Sequence, residues 1–250
     1  MNGEALDPGI LLPAFLTGLV VLATHVPLGR RVLERGIIFI DLAVAQIAAL
    51  GVIAVHALGL AHGGPVTQLA AFAAALLGAL VLERCDRNWP AIREALIGCA
   101  FVLAATAALL LAGDPGLAEH LRDLLVGQIL WVDLPRLIPA ALVSAAVLLL
   151  WPRMRGSLAG FYVLFAVAVT TSVQLVGLYL VFASLIFPAL AVRGRARGTG
   201  AGLLLGALGY ALGLVLSAAL DLPSGPAVVW CLALLTLPFA LRPGAQTAAR

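Results

Sequence analysis

The stretch GIIFIDLAVAQIAALGVIAVHALGLAH, residues 36–62, decides the fold. It is long enough to cross the hydrocarbon core of a bilayer as a helix, which takes about 20 apolar residues. Its one charged side chain is Asp41, near its start. An aspartate at the centre of a bilayer helix costs roughly 2.5 to 3.5 kcal/mol on insertion scales, so we expect an ion, a proton or a partner to compensate for it. The alternative is that Asp41 lies near the interface and either caps a helix or pairs with Arg35.

The rest of the chain is similarly apolar. Of the 250 residues, 63% are hydrophobic and 11% are charged, and the mean hydropathy is +1.11. A soluble domain is usually about 25% charged, and no polar block here is long enough to form one. The sequence therefore predicts a single all-α, polytopic integral membrane domain over residues 1–250.

The uncharged windows predict about nine membrane-spanning helices, within a range of about eight to ten. The window Gly156–Val192 is too long for one crossing, so we expect two short helices that turn near Thr171–Gly177. The other windows each predict one helix and run over Gly9–Gly29, Gly36–His62, Pro65–Leu82, Ala95–Gly113, Leu137–Trp151, Gly198–Leu220 and Pro226–Leu241.

The distribution of arginine predicts an orientation. All 15 basic residues are arginines, and cytoplasmic loops of membrane proteins carry the excess of positive charge. This rule places the N-terminus outside and the C-terminus in the cytoplasm. The arginines then expected inside are Arg30, Arg31, Arg35, Arg84, Arg87, Arg93, Arg153, Arg155, Arg193, Arg195, Arg197, Arg242 and Arg250, and only Arg122 and Arg136 fall outside.

Several classes of function are disfavoured by the same composition. A P-loop needs a lysine on the transferred phosphates, and the chain has none, so it does not hydrolyse ATP by that route. The arginines are spread over short loops rather than gathered on one face, which does not indicate nucleic-acid binding. The cysteines and histidines show no metal-ligand spacing; they are Cys85, Cys99, Cys231, His25, His56, His62 and His120. We therefore expect a chain that is not an enzyme.

Polar side chains inside the predicted helices are few. Gln46 follows Asp41 on the same helix but lies about 140° around an ideal helix from it, so the two share a face only if the helix is kinked. A second group lies at the expected turn of the long window. It either lines a pathway or satisfies backbone groups at a helix break, and it consists of Thr170, Thr171, Ser172 and Gln174.

Two other features suggest contacts. Gly202 with Gly206 and Gly209 with Gly213 have the small-xxx-small spacing that lets helices approach closely, as a dimer contact or by chance in a chain rich in Gly and Ala. The segment Asp114–Pro135 has leucines at helical spacing opposite its charges, which indicates an amphipathic helix on the outer face. That helix is either a docking surface or a connector.

Five segments together resemble the permease subunits of the zinc and manganese ABC importers. A Pro-Leu-Gly turn leads into the helix of Asp41, a Glu-x-x-Ile-Gly sequence opens another helix, and an Asp-x-Pro-x-Gly sequence precedes the last. The segments occur in the family's order and cover most of the chain; they are Pro27–Gly51, Arg93–Gly98, Gly127–Leu134, Val173–Ala191 and Asp221–Gly225.

The resemblance implies a permease that carries a divalent cation such as zinc or manganese across a bacterial inner membrane. It further implies a separate ABC ATPase on the cytoplasmic side, an extracytoplasmic solute-binding protein, a homodimer of this chain and no resident cofactor. In the family an aspartate is followed one helical turn later by a histidine, and both handle the metal. Here Ala45 stands at that position, so Asp41 and Gln46 are the implied metal contacts.

A second departure concerns coupling to the ATPase. The family has an Asp-x-x-x-Ala-x-x-x-Gly stretch between its fifth and sixth helices, where this chain has only Pro152–Leu158. The remaining basic candidate for docking is Arg193–Gly200. Two other functions stay open: a secondary transporter with Asp41 as its ion-coupling acid, and a membrane assembly protein that transports nothing. The sequence does not determine which ion is carried.

Overall fold

A computed structural model describes residues 8–60, 64–112, 127, 129–195 and 198–240. These residues form helices and connecting turns, with no strand among them, which confirms the predicted all-α membrane fold. The segment Asp114–Pro135, predicted to hold an amphipathic helix, lies mostly outside the described residues; its later part contains a 3-10 turn, Ile129–Trp131. The helices are α1 Pro8–Arg35, α2 Ile40–Ala57, α3 Pro65–Asn88, α4 Arg93–Leu111, α5 Leu134–Met154, α6 Leu158–Val176, α7 Leu178–Ala191, α8 Thr199–Leu220 and α9 Ser224–Ala240.

Most of these helices are long and apolar enough to cross a bilayer. Seven meet that requirement within the described ranges, and α7 and α9 are shorter, with 14 and 17 residues. Large apolar side chains point outward along the peripheral helices, such as Leu110 at 86% and Leu149 at 71% exposure. An exposed apolar surface of this extent is expected in lipid, and the chain is a multi-pass membrane protein.

The long apolar window does contain two helices. The break is at Gly177, whose φ of +79° is in the region that favours glycine. At the start of α6, Phe161 lies against Arg35 at the end of α1, and near the end of α7 Leu185 and Ala189 lie against Gly29. Both helices therefore reach the same end of α1, so the chain reverses at Gly177, inside the predicted turn.

Helix α6 is the centre of the bundle. In its apolar window 78% of the residues are buried, against 17% in α4 and 22% in α5. Its aromatic side chains Phe161, Tyr162 and Phe165 pack on one another with ring centroids 5.5–5.6 Å apart. Because α4 and α5 cover so little of the core, their outer faces are the ones left for lipid or for a partner subunit.

The arginines gather at one end of the bundle, called here the basic end. It contains the ends of α1, α3 and α5 and the starts of α2, α4, α6 and α8. Arg30 of α1, for example, donates hydrogen bonds to Thr199 Oγ1 at 2.7 Å and to the carbonyl oxygen of Arg195 at 2.8 Å. Among the arginines that the structure describes, only Arg136 lies at the opposite end. The predicted charge segregation is thus present in the fold.

A buried ion pair network ties four helices together at the basic end. Asp86 of α3 is 6% exposed and accepts from Arg35 of α1 at 3.3 Å and from Arg93 of α4 at 3.2 Å. Arg93 also donates to the carbonyl oxygen of Arg35. The guanidinium of Arg35 lies 5.1 Å from the ring centroid of Phe161 on α6. This network fixes the ends of α1 and α3 and the start of α4 against one another and against α6.

The paired glycines make contacts inside the protomer. Gly206 faces Leu22 of α1, and Gly209 faces Leu232 of α9. A Cβ at Gly213 would lie 2.4 Å from the Cα of Val228 on α9. The close approach that their spacing indicates is therefore used inside the protomer, where it packs α8 against α1 and α9.

Replacing Gly213 with Ala should destabilise the protein, because the new methyl meets the backbone of α9. We expect a loss of about 1–3 kcal/mol, the usual cost of overpacking. The matched control is Gly200→Ala on the same helix, where nothing lies within 4 Å of the added Cβ. Thermal unfolding of the two detergent-solubilised variants measures the difference, and equal midpoints would contradict the α8–α9 contact.

Candidate functional site

Asp41 is buried at the basic end of the bundle. It follows Ile40, the first residue of α2, and its exposure is 0%. Neither carboxylate oxygen has a hydrogen-bond partner within the described part of the chain. Burying a carboxylate without partners is strongly unfavourable. The Asp41 side chain is therefore either a carboxylate whose charge the described residues do not compensate, or a protonated acid.

Neither structural explanation of Asp41 fits the geometry. The N-cap of α2 is Phe39, and no side chain makes a capping hydrogen bond there. Arg35 is engaged with Asp86. The favourable groups nearest Asp41 are the backbone amides of Asp41 itself and of Leu42, at the positive end of the helix dipole. These amides favour negative charge at this point without neutralising it.

A second carboxylate, Glu94, lies beside this helix start. Its Oε1 accepts from the backbone N–H of Phe39 at 3.2 Å, and its Oε2 is buried and has no partner in the described ranges. The negative charge of Glu94 repels the negative charge of Asp41. Three carboxylate oxygens thus lie at the start of α2 without a donor, and two like charges in apolar surroundings attract a cation.

Glu94 was not predicted as a site residue. Its motif, Glu-x-x-Ile-Gly, was recognised at the start of a helix, but the motif does not show what the carboxylate faces. The contact with Phe39 spans 55 positions of sequence and exists only because α4 packs beside α2. An acid in the first turn of an otherwise apolar helix was the available signal.

Gln46 lies in a different place. It lines a small cavity of about 30 Å³ between α2, α3, α6 and α7, and Asp41 is not among the lining residues. A water molecule needs about 10–15 Å³, so the cavity can hold one. The structure therefore does not bring Asp41 and Gln46 to a single site, in agreement with their angular separation on the helix.

The polar group at the expected turn contributes to this cavity. Thr170 and Gln174 of α6 both line it, and the hydroxyl of Thr170 is buried without a partner in the described chain. Gln174 accepts from Gln68 of α3. Thr171 instead donates to the carbonyl oxygen of Val167 in its own helix. Thr170 and Gln174 thus fit the interpretation that the group lines a pathway, whereas Thr171 fits the interpretation that it satisfies backbone groups.

The donor set at Asp41 suits some cations better than others. Within the described residues there is no group of three His, Cys, Asp or Glu side chains that could hold a metal ion. Asp41 and Glu94 offer only oxygen atoms. Carboxylate oxygens suit hard ions such as Mn²⁺, whereas closed zinc sites use four ligands and favour nitrogen and sulfur. One protomer thus supplies a partial, oxygen-only site.

The sequence matches a family model described as the ABC 3 transport family, over residues 8–159 and 153–242. These segments cover most of the chain, so the chain belongs to that family. It is the transmembrane permease subunit of an ABC transporter and not an enzyme; an ABC ATPase and a solute-binding protein are its separate partners.

Two solved structures have a similar fold. "PsaBC from Streptococcus pneumoniae in complex with Fab" aligns with a TM-score of 0.76 at 22% identity, covering 99% of this chain and 98% of that one. An inward-facing ABC transporter assigned to the metal-chelate type aligns with a TM-score of 0.60 at 19% identity, covering 91% and 83%. The comparison with curated proteins gave no match.

Proposed function

We propose that the chain is the permease subunit of an importer for a divalent metal cation. The observation that carries this proposal is the fully buried, unpartnered carboxylate of Asp41 beside the free Oε2 of Glu94. A permease of this family needs cargo, and a buried carboxylate without partners beside a second acid favours a cation. The resemblance to zinc and manganese importers supports the same class of cargo, and one of the structures with a similar fold is an ABC transporter assigned to the metal-chelate type.

The cation would contact two polar regions in the helix bundle. One is the cavity with Gln46, Thr170 and Gln174, and the other is the carboxylate pair at the start of α2. As the cation moves inward, the amide and hydroxyl oxygens of the cavity would replace part of its hydration shell. The carboxylate pair would then supply negative charge near the basic end. The oxygen-only donors favour manganese over zinc.

We further propose that the whole chain, residues 1–250, is one transmembrane domain that works as a homodimer in a bacterial inner membrane. The arginine segregation supports a cytoplasmic basic end, with the N-terminus outside and the C-terminus inside. A dimer brings a second copy of Asp41 and Glu94, which would add ligands to a site that one protomer leaves incomplete.

The ATPase would dock between α7 and α8. The link between α5 and α6 is only Arg155–Ser157, too short to hold a coupling helix of its own. The connection that starts at Val192 and ends at Gly198 is longer and exposes Arg193 and Arg195 at the basic end. The guanidinium of Arg30 on α1 donates to the carbonyl oxygen of Arg195 in this connection, so a movement of the connection is passed directly to α1.

Reconstitution separates this function from ion-coupled secondary transport. The chain would be placed in proteoliposomes with its ATPase and its solute-binding protein, and manganese uptake would be measured. We expect uptake that requires ATP and both partners and that continues when an uncoupler removes the proton gradient. Uptake that persists without the ATPase and collapses with the uncoupler would assign Asp41 to ion coupling and overturn the proposal. No uptake under any condition would favour an assembly protein.

A further inference from the structure

A second polar cavity, of about 400 Å³, lies at the basic end between α1, α5 and α8. It is separate from the proposed cation path, which runs through α2, α3, α4, α6 and α7. Three arginines line it against one acid, and the polar and aromatic lining includes Arg30, Arg31, Glu34, Trp151, Arg155 and Thr199. The cavity thus carries a surplus of positive charge.

This surplus is not neutralised by the described residues. Arg31 pairs with Glu34 at 3.0 Å, but its Nε is buried and makes no hydrogen bond there. The guanidinium of Arg155 has no hydrogen bond or ion pair among the described side chains. The guanidinium of Arg30 bonds to the neutral oxygens of Thr199 and Arg195, which do not balance its charge. An anion entering the cavity would meet free donors.

Two further features suit an anionic headgroup. Thr199 is the first residue of α8, and its N-cap Gly198 provides no side-chain cap, so the free backbone amides of this helix start favour negative charge. Trp151 is the kind of side chain that lies at the level of lipid headgroups, with its ring in the apolar layer and its N–H in the polar layer.

We propose that this cavity binds the phosphate headgroup of an anionic phospholipid. Basic pockets between membrane helices on the cytoplasmic side are suited to such headgroups. A path for the acyl chain continues from Pro27 along one face of α1, where Ala23, Val20 and Leu16 follow at helical spacing and are all partly exposed.

A second copy of the chain fits this cavity less well. A two-fold dimer contact would place the same patch opposite itself, so arginine would face arginine. An acidic segment of the ATPase could reach the headgroup level but would not fill the apolar face of α1 below it. An anionic lipid matches both the charge at Arg31 and Arg155 and the apolar face of α1, and this proposal does not depend on the identity of the cargo.

The test compares lipids by thermal unfolding of the purified full chain in detergent. The probes are phosphatidylglycerol, phosphatidylcholine and inorganic phosphate, and the variant is Arg31→Gln with Arg155→Gln. We expect phosphatidylglycerol to raise the midpoint of the unaltered protein by about 3–5 °C. Phosphatidylcholine and phosphate should have no such effect, and the variant should lose the shift.

The control is Arg84→Gln with Arg193→Gln, which makes the same change of charge at exposed positions of the basic end that do not line the cavity. It should keep the shift. Arg155→Gln alone should reduce it, which covers the case that the double variant is poorly folded. An unchanged shift in the Arg31 and Arg155 variants, or an equal shift with phosphatidylcholine or with phosphate, would overturn the proposal. So would loss of ATPase binding in the variant with an unaltered lipid response.

Discussion

Replacing Asp41 with Asn abolishes cation uptake and leaves the amount of chain in the membrane unchanged. The asparagine keeps the size of the side chain but removes the charge that would hold a divalent cation. Loss of a group that only orients a metal ligand costs about 10–100-fold in metal affinity, and we expect loss of a direct contact to cost at least as much. Uptake of manganese by cells or proteoliposomes, normalised to the protein present, measures the effect.

The stability of the same variant distinguishes a functional from a structural aspartate. Because both oxygens of Asp41 lack partners in the described chain, the substitution removes an uncompensated buried charge. We therefore expect Asp41→Asn to be at least as stable as the unaltered protein. The control is Asp221→Asn, at an exposed position with φ of +53°, a conformation that asparagine tolerates. Undiminished uptake in Asp41→Asn would remove this residue from the mechanism.

Replacing Asp86 with Asn should have the opposite effect, because it should lower the stability of the protein while part of the uptake remains. Asp86 holds Arg35 and Arg93 at the junction of α1, α3 and α4. Without its charge, two guanidinium groups would face each other at a largely buried position. Breaking a buried pair costs about 3–5 kcal/mol, and because Arg93 is 32% exposed we expect the lower end, about 3 kcal/mol.

The measurement for Asp86→Asn is thermal unfolding together with uptake per folded molecule. We expect a clear fall in the unfolding midpoint, while the molecules that remain folded retain part of their uptake. The same chemical change at Asp41 and Asp86, two buried aspartates at the same end of the bundle, thus separates cargo binding from scaffold. A variant of Asp86 as stable as Asp221→Asn would contradict the structural role assigned to the network.

The apolar pattern predicted the helices well because membrane insertion depends on local composition. The reversal at Gly177 was predicted since one window was too long for a single span. The helix ends were predicted less well: α1 continues to Arg35 and α3 to Asn88, beyond the uncharged windows. Helices extend past the hydrocarbon layer, and a window defined by the absence of charge ends at its boundary.

The partners of the polar groups could not be predicted from local sequence. Asp86 lies in a charged stretch that has the appearance of a cytoplasmic loop, yet it is buried because Arg35 and Arg93 converge on it from two other helices. Gln46 was paired with Asp41 through the family resemblance, whereas the fold places it on the cavity that Thr170 also lines. Such contacts depend on how helices pack, which the local sequence does not specify.

The cation contact at Asp41 can be observed directly by the anomalous scattering of manganese in crystals of the assembled transporter. We expect an anomalous peak at ligand distance, about 2.0–2.6 Å, from a carboxylate oxygen of Asp41. Glu94 should lie in the same or the adjacent coordination shell. A well-occupied manganese peak elsewhere in the transmembrane region, with the Asp41 carboxylate bound instead to an arginine or to a donor of the partner subunit, would contradict it.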